Sequence, residues 1–226
     1  MKPKPELLIF DVNETLLDMS PLKDAVNRAF GNELAFEVWF PTLLQYSLVE
    51  SITENYNDFS SIALATLEMT AEKFGAEVSE SELKSVLSLV KELPPHPEVP
   101  AALKMLKDSG FRMIALTNGK PDVAEAQLKF AEIDMHFEET LSVEEAGKYK
   151  PHPGPYNYVL QKTGISREKA MMVAAHGWDI TGAKRNGMQT AFIKRVGKSE
   201  YPLAGKADLL AASCLELAEM LIDRKA

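Results

Sequence analysis

An α/β fold is what this chain predicts: a parallel sheet with crossover helices, and a helical bundle inserted after the first strand. Three observations predict it. Over residues 96–226, short apolar runs alternate with amphipathic stretches, the pattern of strands and crossover helices. One comparable run, Leu7–Phe10, stands alone near the N-terminus. Residues 16–95, between the two, hold no such run and read as a bundle of about four helices.

The elements follow in order. Leu7–Phe10 is a short apolar run that ends abruptly on Asp11, as a buried strand does at its tip. Ser20-Pro21 reads as an N-cap followed by proline at the first helical position. Gly31 and Gly75 stand where helices can stop. Ser79 and Glu82 can form a capping box, with Leu83, Val86, Leu87 and Val90 on one face behind it. Leu93-Pro94-Pro95-His96-Pro97 cannot continue a helix and marks the return to the sheet. Further strands are expected at Arg112–Thr117, Glu139–Ser142, Met171–Ala175 and Thr190–Ile193, with helices between them. Cys214, Leu217, Ala218 and Leu221 share one face of a last helix. The expected division is a sheet core of residues 1–15 and 96–226 and a helical unit of residues 16–95 overhanging the sheet's C-terminal edge. There is no internal repeat or low-complexity segment.

With 226 residues the chain can bury a sizeable core. Its net charge of −8 argues against a nucleic-acid or anionic-membrane partner. No apolar run approaches the ~20 residues that span a bilayer. Met-Lys-Pro-Lys-Pro-Glu at the start carries no apolar signal region. The single Cys214 cannot form an intramolecular disulfide, which fits a reducing cytoplasm. The four histidines lack metal-ligand spacing.

Chemistry concentrates where apolar runs break. Asp11 follows Leu7–Phe10 directly, and Asn13, Glu14 and Thr15 come next. A carboxylate at a strand's C-terminal tip can act as a nucleophile and form an ester. Alone, the segment reads equally well as a strand followed by an Asp turn or helix cap. Three later segments favour the catalytic reading: Thr117-Asn118-Gly119, Tyr149-Lys150-Pro151, and Ala174-Ala175-His176-Gly177-Trp178-Asp179.

Nucleophile, hydroxyl or amide, lysine and second acid, in that order, resemble the haloacid dehalogenase superfamily, and most closely its L-2-haloacid dehalogenase (type II) branch. The matching motifs are Asp11 with Thr15-Leu16-Leu17-Asp18, Tyr46-Ser47, Asn118-Gly119, Tyr149-Lys150-Pro151 with Tyr156, and Trp178-Asp179 with Thr181-Gly182-Ala183. The resemblance implies a Rossmann-like core with a helical cap, and hydrolysis of short (S)-2-haloalkanoic acids to 2-hydroxy acids with inversion. It implies Asp11 as nucleophile, Lys150 beside it, and Asp179 orienting the lysine or positioning water. Thr15, Thr117 and Asn118 would donate hydrogen bonds to the nucleophile or the substrate. Trp39, Phe40, Tyr46 and Tyr156 would complete the substrate site. It implies no cofactor and no magnesium requirement, a small 2-haloacid as partner, and a homodimer formed through the cap.

The chain departs from the pattern in places. The family's cap carries a Trp-Arg pair where this chain has Trp39-Phe40, followed by Pro41, which can bend the helix. The charge is lost, so Phe40 should make the pocket small and apolar. Many relatives carry Ser-Ser-Asn where this chain has Ala174-Ala175-His176, and Gly where it has Glu14. Glu14 and His176 therefore suggest a dyad that activates water, with the imidazole as base. A turn-filling histidine and a capping glutamate are the structural alternative. Two rival functions stand beside dehalogenation. One is a magnesium-dependent phosphatase, against which Asn13 replaces the expected second acid. The other is a non-catalytic binding protein on this fold.

Overall fold

The structure, a computed structural model, describes residues 3–223; the remaining five positions, which the sequence reading assigned to the core, lie outside the described residues. Among the described residues, six strands form one parallel sheet in the order β3-β2-β1-β4-β5-β6. They are β1 (Leu7–Phe10), β2 (Arg112–Thr117), β3 (Glu139–Ser142), β4 (Ala170–Ala174), β5 (Gln189–Ile193) and β6 (Leu209–Ala211). This is the Rossmann-like order, in which the chain reverses direction of winding between β1 and β4. Ligands bind outside the carboxyl ends of the strands at such a reversal. Asp11 leaves β1 there, its N–H donating to the Val173 carbonyl of β4 at 3.0 Å.

Strands β1, β4 and β5 are buried along their whole length, as parallel strands covered on both faces must be. That is why they read as continuous apolar runs. Three expected strands have the observed limits. β4 is shifted one residue towards the N-terminus and β5 starts one residue early. The short edge strand β6 was not expected: it has three residues, and its middle Leu210 is exposed.

Between β1 and α5 (Val99–Asp108) lie α1 (Ser20–Phe30), α2 (Ala35–Thr53), α3 (Phe59–Phe74) and α4 (Glu80–Ser88), which pack on one another. Gly31 and Gly75 end α1 and α3 in the left-handed region, and Ser79 and Glu82 form the expected capping box. One cap differs. Ser20 is already helical, and its N–H and hydroxyl both donate to Asp18 Oδ1, so the preceding aspartate does the work expected of the serine. Helix α2 runs without a break across Pro41. The Trp39 indole N–H ties α2 to α3 by donating to the Ala63 carbonyl at 3.0 Å, and Phe36 stacks on Phe40 at 5.5 Å.

The crossover helices are α6 (Pro121–Phe130), α7 (Pro153–Thr163) and α8 (Gly177–Arg185), and the chain closes with α9 (Cys214–Ile222). Cys214, Leu217, Ala218 and Leu221 form the buried face of α9, as their spacing predicts. Burial pushes the Cys214 thiol up to about 12, so it is not a reactive thiolate. No helix among the described residues is long and apolar enough to cross a membrane.

Candidate active site

Asp11 at the end of β1, His176 just after β4 and Lys150 on the loop between β3 and α7 come together. Asp11 is 5% exposed and Lys150 2% exposed, so neither charge is left to water. Lys150 Nζ donates to Asp11 Oδ1 at 2.8 Å, to Asp179 Oδ2 at 2.7 Å and to the Leu116 carbonyl at 3.0 Å, which uses all three of its protons. The Lys150 backbone is held as well: its N–H donates to Asn118 Oδ1 at 3.0 Å. One residue earlier, the Tyr149 N–H donates to Ser51 Oγ at 2.8 Å and so fastens this loop to α2.

On the other oxygen, Thr15 Oγ1 donates to Asp11 Oδ2 at 2.7 Å and accepts from the Ala175 N–H at 2.9 Å. One hydroxyl thus joins the tips of β1 and β4. His176 Nδ1 lies 3.0 Å from the same Asp11 Oδ2, and its Nε2 lies 2.8 Å from Glu14 Oε2. Lys198, on the loop after β5, donates to that Glu14 oxygen at 2.5 Å.

Glu14 has φ +59°, in the left-handed region. A side chain there costs on the order of 1 kcal/mol relative to glycine. A strained non-glycine residue that reaches a buried ring argues that the position is kept for its carboxylate.

The electrostatics follow from these contacts. Burial raises Asp11, but the charge of Lys150 and the His176 hydrogen bond outweigh it and hold the carboxyl well below its usual range. Burial and the neighbouring Asp11 push Asp179 up, while Lys150 opposes them. Both Asp179 oxygens accept, from Lys150 and from the Tyr156 hydroxyl at 2.6 Å, as an ionised carboxylate does. Burial alone would lower His176; the hydrogen bonds to Asp11 and Glu14 raise it to about 9. The ring is therefore an imidazolium at neutral pH, with both nitrogens donating to carboxylates. The expected contact between Glu14 and His176 is present, and in this protonation state both ring nitrogens are engaged by carboxylates.

A stability prediction follows. The folded His176 value lies above the ordinary 6.5, so its contribution is fully present below pH 6.5 and is lost as pH rises through about 9. The melting temperature of the wild type should fall over that window, and His176→Asn should flatten the fall. Parallel melting curves from pH 6 to 10 check it; equal slopes would contradict it.

The other expected site residues divide. Trp39 and Phe40 wall a small enclosed cavity of about 60 Å³ together with Asn13, Gly119 and Lys120. Phe40 also lines a wider cleft of about 680 Å³ that reaches Glu14, His176 and Trp178. Thr117 is buried and its Oγ1 accepts from the Gly119 N–H at 3.0 Å, shaping the turn that carries Asn118. Tyr156 is fully buried, its hydroxyl donates to Asp179, and it lines neither cavity. Tyr46 is 36% exposed on α2 and lines neither cavity, so it is not brought to the site. Lys198 was missed; the pair Arg195 and Lys198 around Gly197, just past a strand end, was the available signal. Arg195 also holds the Thr15 carbonyl at 2.8 Å.

The residues present do not make a magnesium site. Asp11 and Asp179 share the Lys150 ammonium, Ala175 offers no ligand, and among the described residues no three His, Cys, Asp or Glu side chains could hold a metal ion.

Known proteins share this arrangement of chain. Haloacetate dehalogenase H-2 of Moraxella sp. (strain B) is 29% identical over 197 residues, covering 86% of this chain and 88% of that protein. The (S)-2-haloacid dehalogenase of Xanthobacter autotrophicus is 29% identical over 193 residues, covering 84% and 76%. A solved structure of L-2-haloacid dehalogenase from Xanthobacter autotrophicus superposes with a TM-score of 0.91 at 25% identity, covering 98% of this chain and all of that one. A second, with chloropropionic acid covalently bound, superposes equally well at 24% identity and shares the fold. The family model of haloacid dehalogenase-like hydrolases matches residues 5–187, most of the chain. The chain belongs to the haloacid dehalogenase-like hydrolases.

Proposed function

We propose that this protein is a hydrolytic 2-haloacid dehalogenase, converting short (S)-2-haloalkanoic acids to 2-hydroxy acids and halide through an ester on Asp11. The observation that carries the proposal is the buried contact of Asp11 Oδ1 with Lys150 Nζ at 2.8 Å, which keeps a nucleophilic carboxylate ionised at a strand tip without a metal. Asp11 attacks carbon 2 opposite the halogen. The C–O bond forms, the carbon–halogen pair leaves as halide, and the configuration inverts. Water then opens the ester. The names of the relatives above, acting on haloacetate and (S)-2-haloacids, support the same chemistry. Helices α1–α4 serve as the cap (residues 16–95) over the core of residues 1–15 and 96–226. We place the enzyme in the cytoplasm as a homodimer paired through the cap, where Leu48, Val49 and Ile52 are exposed on α2.

Asn13 disfavours the phosphatase alternative. Its Oδ1 accepts from Gln127 Nε2 at 2.8 Å, and an amide cannot pass a proton to a leaving group. Halide release from chloro-, bromo- and fluoroacetate and from both 2-halopropionates, measured with chelator and again with magnesium, beside a generic phosphatase substrate, tests the proposal. Halide release without phosphate release is expected. Magnesium-dependent phosphate release alone would refute it.

A 2-haloacid carries its own carboxylate, and Phe40 brings no charge to it. Among the described residues, Lys120 is the only charged one on the wall of the small cavity. We assign it to that carboxylate. A hydrogen bond to a charged group contributes about 1.5–3 kcal/mol. Lys120→Met should therefore raise KM roughly tenfold or more, with kcat less affected. An unchanged KM would remove Lys120 from the site.

A further inference from the structure

The two oxygens of Asp11 are not equivalent. Oδ2 accepts from Thr15 Oγ1 at 2.7 Å and from His176 Nδ1 at 3.0 Å. Oδ1 accepts from Lys150 Nζ at 2.8 Å. A carboxylate oxygen has two lone-pair sites. Those of Oδ2 are both engaged, whereas Oδ1 keeps one for attack. Alkylation on Oδ1 makes Oδ2 the carbonyl oxygen of the ester. When water adds to the ester carbon, negative charge develops on Oδ2. Its two donors already stand at the separation at which preorganised donors stabilise an oxyanion, about 2.7–3.1 Å.

We propose that the His176 Nδ1–H and the Thr15 hydroxyl form an oxyanion hole around Asp11 Oδ2, and that His176 serves ester hydrolysis as this charged donor and not as the base. The proposal rests on the aspartyl-ester reading above. Its step balances. The water oxygen bonds to the ester carbon, the carbonyl π pair moves onto Oδ2, and one water proton passes to bulk solvent. On collapse the pair returns, the bond from that carbon to Oδ1 breaks, and the second water proton leaves with the hydroxy acid.

The charges around the ring support this role. Asp179, Lys150, Asp11, His176, Glu14 and Lys198 form one line of hydrogen-bonded ion pairs that alternates in sign, three negative and three positive. In the resting enzyme the line sums to zero. Ester formation removes the Asp11 charge and leaves it at +1. The oxyanion restores zero. The line is therefore charge-matched to the transition state of hydrolysis and mismatched to the ester, which is the difference that accelerates a step. Glu14 fixes the ring from Nε2, and Lys198 fixes Glu14. The groups facing His176 are Asp11 from the end of β1, Glu14 from the turn after it, and the Trp178 ring of α8, stacked at 5.0 Å. Lys150 and Asp179 act through Asp11, and Lys198 acts through Glu14.

The test separates the two half-reactions. Enzyme in excess is mixed with (S)-2-bromopropionate, and quenched samples are read for bromide and, by intact mass, for the ester on Asp11. A charged donor is lost on deprotonation, so ester decay should slow as pH rises through the His176 titration. A general base would make it faster. Thr15→Val should still release about one bromide per substrate molecule and slow ester decay on the order of 100-fold or more, and Thr15→Ser should restore it. His176→Gln, a neutral donor of similar reach, should form the ester, slow its decay and remove the pH dependence. Ester decay that rises with pH, or that is unchanged in both Thr15→Val and His176→Gln, would overturn the oxyanion hole. Bromide release with no ester on Asp11 at any time would overturn the ester reading itself, and the hole with it.

Discussion

Lys150→Met should lower turnover on the order of 1000-fold or more and destabilise the protein. The Lys150 ammonium is fully buried between Asp11 and Asp179, at 2.8 and 2.7 Å. Its removal leaves two carboxylates facing each other without a counter-charge. Breaking a buried pair in this way costs about 3–5 kcal/mol, which for a chain of this size lowers the melting temperature by roughly 6–20 °C. One of the carboxylates then takes up a proton near neutral pH. If Asp11 takes it, no nucleophile remains, so the acid limb of the rate profile should move to higher pH. Lys150→Arg should recover little, because a planar fork cannot reach Asp11, Asp179 and the Leu116 carbonyl as a compact ammonium does. Halide release and thermal melts across pH check both variants. Turnover within a few-fold of wild type in either would remove Lys150 from the chemistry.

Asp11→Asn should abolish halide release while the fold persists. An amide has no carboxylate lone pair to attack carbon 2, yet it fills the same space at the end of β1. The line of charges also tolerates the change, since Lys150 keeps Asp179 and His176 keeps Glu14. With Asp11 neutral, one of the two carboxylates that hold the His176 proton is gone, so the ring's titration should drop below about 9, while Glu14, still on Nε2, keeps the ring protonated at neutral pH. Titration of the ring by NMR in wild type and variant would show that drop. A variant that still turns over, or an unchanged ring titration, would contradict the assignment.

Much of this was legible in the sequence, for a physical reason. Strands covered on both faces must be apolar along their length, so β1 and β2 could be read to the residue, and Asp11 and Asn118 stand where those runs end. Asp11, Thr15, His176 and Asp179 were singled out near such breaks, and Lys150 by its Tyr-Lys-Pro context and the order of the motifs. β6 was not, because three residues with one exposed carry no pattern. Lys198 was not, because it meets Glu14 only through the fold, and the basic pair around Gly197 past a strand end is a weak signal by itself. The protonation of His176 could not be read from residue order, since it depends on two carboxylates reaching opposite nitrogens of one ring. Tyr156 and Tyr46 matched by motif alone. One proved to be a prop beneath Asp179, and the other an outward residue of α2.

The central claim is that Asp11 carries the substrate covalently, and isotope placement tests it most directly. Enzyme in excess over (S)-2-chloropropionate is allowed one turnover in heavy-oxygen water, and the peptide containing Asp11 is then weighed and sequenced by mass spectrometry. Because water attacks the ester carbon and the original Oδ1 leaves with the product, the account predicts one heavy oxygen in the Asp11 carboxylate and none in the 2-hydroxy acid. Heavy oxygen in the product hydroxyl, with Asp11 unlabelled, would mean that water displaces the halide directly and would contradict the account.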